Sequence, residues 1–208
     1  MAVPTKTTRL DAVNRMLSAI GIARVDTIPD ANRQDVQEAE AVLDEETINV
    51  LQEGWEFNSE AEVELELDGA SEIGVPDEVI QVQVPFGRHM KKITTRLKGA
   101  SEKLYDKTNH TFTFTHNVDA DVVYLQDFDF LPQSARWYIM IKAVRKFAHN
   151  MLEGAEAIDS FTEEDEAKAR AALLEHEGEA GQHNIFNSYD TYQIIARRGG
   201  HYGDNWWL

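Results

Sequence analysis

The sequence predicts an α+β protein: a helical bundle made by N- and C-terminal helices, an inserted antiparallel β domain, and an extended C-terminal tail. Three observations carry this expectation. Apolar residues recur at spacings of three and four up to Leu51 and again from Trp137, the signature of helices buried on one face. Between these regions the period falls to two, as in half-buried strands. After about residue 190 the pattern dissolves into Gly-rich sequence ending in Trp206, Trp207 and Leu208. The expected division is a discontinuous helical bundle over 1–60 and 127–188, a β-rich insertion over 61–126, and a tail over 189–208. With 208 residues and 42% apolar content, the chain can bury a sizeable core.

Residues up to Thr8 read as a loose arm. Leu10, Val13, Leu17 and Ile20 mark one face of a first helix, closed by Gly21 just past its end. A loop from Ile22 to Asp30 leads to a second helix over about Ala31–Glu53, with Asp30 or Asn32 as its cap. Its buried stripe is Val36, Ala39, Leu43, Thr47 and Val50, widened by Val42 and Leu51. Asp35, Glu38, Glu45, Glu46 and Glu53 are expected to face water. Gly54 ends this helix.

In the β region, Val63, Leu65 and Leu67 alternate with glutamates, and Ile80, Val82 and Val84 alternate with glutamines. Ile93–Leu97 adds a strand. Lys103–Tyr105 and Thr111–Thr115 are expected to flank a hairpin turn, and Asp121–Leu125 closes the set, about five or six short strands in all. Helix returns at Asp127–Leu152, with Pro132 in its first turn and Gly154 as a stop. Here Trp137, Ile141, Val144, Ala148 and Met151 share a face. Tyr138, Ile139, Met140 and Phe147 make its surroundings apolar nearly all round, as in a central strut. Ile158–Phe161 reads as a turn. Thr162 then caps a last helix, Glu163 to about Glu179, whose stripe is Ala167, Ala171 and Leu174.

A formal charge of −17, from 20 basic and 37 acidic residues, argues against a basic nucleic-acid face and against an anionic membrane as partner. The absence of cysteine excludes disulfides, Cys-ligated zinc, iron–sulfur clusters and thiol catalysis. The seven histidines show no metal-ligand spacing, and no nucleotide-binding or nucleophile-elbow motif is present. No catalytic, cofactor or metal residue is therefore assigned. Neither a membrane-span run nor a signal-peptide pattern occurs, so synthesis in the cytoplasm is expected.

Two features invite an interface reading. Arg88, Lys91, Lys92, Arg96 and Lys98 lie in a stretch without a single acid, suited to an acidic neighbour such as the Glu-rich strand of an adjacent copy, or equally to a solvated loop. A DNA site comes third, because five charges would sit in a strongly negative particle. Tyr202, Trp206, Trp207 and Leu208 on their Gly-rich tether have little to bury against locally and are candidate anchors. Trp137 and Tyr138 of the strut are further interface candidates, with the chain's own core as the alternative.

The order of certain segments resembles the tail tubular protein A family of short-tailed bacteriophages. The carrying residues are Ala12-Val13-Asn14 with Leu17-Ser18-Ala19-Ile20-Gly21, Gly54-Trp55-Glu56-Phe57-Asn58, and Leu104-Tyr105-Asp106. To these add Phe128-Asp129-Phe130-Leu131-Pro132, Arg136-Trp137-Tyr138-Ile139, Lys142-Ala143, Arg145-Lys146-Phe147 and Glu163-Glu164-Asp165-Glu166. The likeness spans roughly residues 10–190, and their order and spacing carry it together. It implies an adaptor ring of twelve copies in the virion, between portal protein and tail nozzle protein, with tail fibres as further neighbours. The net charge of −17 suits a surface past which genomic DNA slides without specific binding. The expected function is thus a non-enzymatic virion protein lining part of the ejection channel. The rivals are a polysaccharide hydrolase using two carboxylates beside Trp55 or Trp137, and a head-completion connector elsewhere in the neck.

Overall fold

The computed structural model describes residues 5–28, 33–85, 92–152 and 156–180. Four helices, α1 (Arg9–Ala19), α2 (Gln34–Leu51), α3 (Gln133–Met151) and α4 (Glu156–Ala180), flank five strands in sequence. Helices α1, α2 and α4 all pack on α3. They enclose one core that includes Val13, Met16, Leu17, Leu43, Leu51, Ile139, Phe147 and Leu173. The strut is therefore central because its apolar residues nearly encircle it, giving each neighbour a face to cover.

Helix α1 begins with a reciprocal cap: the Thr8 hydroxyl accepts from the Asp11 amide, and the Asp11 carboxylate accepts from the Thr8 amide. It ends at Gly21, whose φ of +78° suits glycine. The arm before it is less loose than expected where described. Thr7 exchanges two hydrogen bonds with the Gln133 side chain, at 2.8 and 2.7 Å. Helix α2 starts at Gln34 with Arg33 at the cap position and no side-chain cap; the expected caps Asp30 and Asn32 lie outside the described residues. Its predicted stripe is buried throughout. Glu46, expected in water, is buried as well, because Lys142 and Lys146 of α3 reach it at 3.2 and 2.9 Å.

The strands β1 (Ser59–Leu65), β2 (Val79–Gln83), β3 (Ile93–Lys98), β4 (Ser101–Asp106) and β5 (Val118–Tyr124) form two antiparallel sheets, β1-β5-β2 and β3-β4. A second core, including Ile73, Leu104, Ala120 and Val122, lies under them. The expected turn after β4 brings Thr111 back against Asp106 in a single antiparallel bridge. Thr111–Thr115 goes no further as a partner strand, because β3 lines one edge of β4 and residues 73–75 line the other. Gly99, at φ +69°, allows the tight β3–β4 turn. The Asp106 carboxylate accepts from the amides of Thr108 and Asn109, building the turn that returns Thr111 to Asp106. Residues 111–115 also contribute side chains: Phe114 enters the core and Phe112 meets Tyr105 edge-on at 4.9 Å.

Helix α4 is longer than predicted, since Ile158–Phe161 and Thr162 are helical rather than turn and cap. No proline or glycine interrupts Glu156–Glu177, and helix-forming Ala and Glu override a single capping threonine. Its buried positions are Ala169 and Leu173; Ala167 and Ala171 are exposed and Leu174 is 51% exposed, against the expected stripe. Arg170 fixes this rotation, donating to the Tyr138 hydroxyl at 2.8 Å and to Glu53 at 2.9 Å. The expected stop Gly154 lies outside the described residues.

Candidate assembly surfaces

Three places combine positioned charge or apolar exposure. The first is an ionic seam between helices. Glu46 sits between Lys142 and Lys146, Arg145 bridges to Glu163 and Glu166, and Arg170 bridges to Glu53. Burial pushes the Glu46 carboxyl up, but hydrogen bonds from Lys146 and Lys142 outweigh it and hold it below the usual range. All these partners belong to one chain, so the seam closes the bundle and leaves little for a neighbour.

The second is a knot at the start of α3. Arg136, 5% exposed, donates to the carbonyls of Leu131 and Thr7 at 2.8 Å and to that of Asp129. The Asp129 carboxylate in turn accepts from the Arg9 amide at 2.9 Å. This winds Phe128–Phe130 into one 3-10 turn, which buries Phe128 and leaves Phe130 80% exposed. Phe130 borders a cleft shared with Lys6, Phe57, Gln126, Pro132 and His176.

The third is the β region, where charge is segregated. On the β3–β4 hairpin, Arg96 stacks over the Tyr105 ring at 4.0 Å. Lys98 and Lys103 both reach Glu72, and Lys103 reaches Asp68 at 2.9 Å. The amide of Glu72 and the ammonium of Lys103 hold the Asp68 carboxyl down to about 2. Leu97, near the hairpin end, is 76% exposed. The β1-β5-β2 sheet is acidic, with Glu64 directly opposite Asp119.

The predicted interface residues fare differently. Lys92 and Arg96 are exposed on the hairpin, whereas Arg88 and Lys91 lie outside the described residues. Trp137 is half-buried against the helical core. Tyr138 is 2% exposed and its hydroxyl accepts from Arg170, so its ring belongs to this chain's own core and has almost no surface to offer a partner. Tyr202, Trp206, Trp207 and Leu208 lie outside the described residues. Trp55, invoked for a hydrolase cleft, is buried with its indole donating to the Val50 carbonyl at 2.8 Å. Phe130 and Leu97 were missed. Period-two alternation in Asp127–Phe130 gave no sign of which phenylalanine turns outward.

Among the described residues no group of three or more His, Asp or Glu could hold a metal ion, and no helix is long and apolar enough to cross a membrane. The family model described as tail tubular protein matches residues 10–183, from α1 through the β region to beyond α4. This chain belongs to the tail tubular protein family. It is therefore a structural component of a phage tail, found in the virion. The family is a structural one rather than a class of enzymes. A comparison with curated proteins finds no match. Among the described residues, the hairpin, the acidic sheet and Phe130 leave charge or apolar surface exposed, as do Leu125 and Leu174.

Proposed function

We propose that this tail tubular protein is the adaptor ring subunit joining the portal to the tail nozzle. The observation that carries the reading is the family match running through both the helical body and the β region. Charge adds support. A surplus of seventeen negative charges favours a bore past which DNA slides without adhering. In this reading the helical bodies pack side by side as a ring of twelve, and the β region faces the nozzle. Tail fibres are further neighbours. The aromatic terminus clasps a neighbouring protein, and burial of its two indoles and a leucine contributes on the order of several kcal/mol before ordering costs.

Density for this chain in purified particles, placed between portal and nozzle, is the expected result. A position elsewhere in the neck, or a bore lined by Lys and Arg, overturns the reading. Deleting residues 204–208 is expected to weaken attachment to portal or nozzle while the thermal midpoint of the free chain stays unchanged. Unaltered assembly after that deletion rejects the clasp.

A further inference from the structure

We infer that the β3–β4 hairpin of one copy docks on the open acidic face of the β1-β5-β2 sheet of the next copy. This rests on the ring reading above and names the surfaces that would join its members. Two copies each carrying seventeen excess negative charges repel, so a contact between them needs a locally positive approach. The hairpin supplies one. Lys92, Arg96 and Lys107 have no carboxylate partner among the described residues, while Lys98 and Lys103 are already matched by Glu72 and Asp68.

The sheet supplies the counterpart. Glu62, Glu64, Asp119 and Asp121 have no cationic partner among the described residues; their hydrogen bonds are with Asn117 and within the backbone. Glu64 and Asp119 stand directly opposite each other in the register. Like charges so placed destabilise a sheet, and an incoming cation relieves them. Beside Asp121, between Glu60 and the pair Gln81 and Gln83, lies a concavity where half-buried Val123 offers Leu97 an apolar contact. The positive and negative surfaces are different parts of one chain. Their pairing is therefore heterologous, each copy giving its hairpin to one neighbour and its sheet to the other, the kind of contact that closes into a ring.

The chain has no cysteine, so introduced ones report without background. Particles are assembled with chains carrying Leu97→Cys, Gln83→Cys or both, and their tails are oxidised. A ladder of multimers from the double variant, with none from either single variant, is the expected result. Normal tails without a ladder, dimers from Leu97→Cys alone, or coupling only to another tail protein overturn the inference. Charge reversal guards against a poorly placed cysteine pair. Lys92→Glu with Lys107→Glu should lower incorporation into tails about tenfold or more, with the free chain's thermal midpoint unchanged. Adding Glu64→Lys and Asp119→Lys to the same chain should restore it. Unchanged incorporation after the first reversal, or no recovery after the second, also overturns the docking. If the wild-type chain is detected in tails, either failure falls on the docking alone; its absence from tails overturns the ring reading as well.

Discussion

Arg136 shows how one side chain can organise two distant parts of the sequence. Its guanidinium ties the carbonyls of Thr7, Asp129 and Leu131, so the N-terminal arm and the start of α3 share one fastening. Arg136→Ala leaves these carbonyls without that donor in a nearly dry site. The expected loss is about 3 kcal/mol, read from the denaturant midpoint. Arg136→Lys should recover only part of it, because an ammonium cannot imitate the planar fork. Asp68 provides a pH signature. Its carboxyl lies near 2 when folded against an ordinary 3.8, so its contribution is present above 3.8 and lost as pH falls through 2. The thermal midpoint of the wild-type chain should fall more steeply between these values than that of Asp68→Asn; equal slopes would show that the clasp on Lys103 carries no pH dependence. Neither residue could be singled out from sequence, because each combines near neighbours with one distant partner, Thr7 for Arg136 and Lys103 for Asp68.

Helices were more legible than strands. The α2 stripe follows from the 3.6 period alone, since a helix with one apolar face has one way to hide it. The strut is instead buried because it is apolar nearly all round, up to Met151, which is 41% exposed at its end. Helix α4 lacked such a signal. Its run Ala171-Ala172-Leu173-Leu174 permits two rotations, and Arg170 reaching Tyr138 and Glu53 selects the one that buries Leu173. Leu173→Ala is therefore expected to cost about 2–5 kcal/mol, and Leu174→Ala within about 0.5 kcal/mol, compared by denaturant unfolding. The reverse ranking would mean the helix is turned. The hairpin error has a similar origin. Alternating Thr and Phe at 111–115 satisfies a strand pattern, yet beyond the bridge from Thr111 to Asp106 both edges of β4 are taken, by β3 and by residues 73–75, so Thr113 bridges Glu72 instead.

The two cores are joined by a small polar link. The Asn58 amide donates to the Leu51 carbonyl at the end of α2 and to the Tyr124 carbonyl at the end of β5, both at 3.0 Å, while its oxygen accepts from the Trp55 amide. Asn58→Ala should cost about 2 kcal/mol or more through unsatisfied buried groups. Hydrogen exchange should quicken at the Trp55 amide and nearby at both the α2 end and β5; faster exchange in only one of the two would deny the link. By itself the sequence determined the α+β class, the helix–strand–helix order and the acidic character, because periodicity and charge are local properties that every residue carries with it. The tertiary structure decided which charges stay unpaired, which aromatic ring faces out and how the two cores meet. Those outcomes depend on distances between residues up to a hundred or more positions apart, which no local pattern encodes.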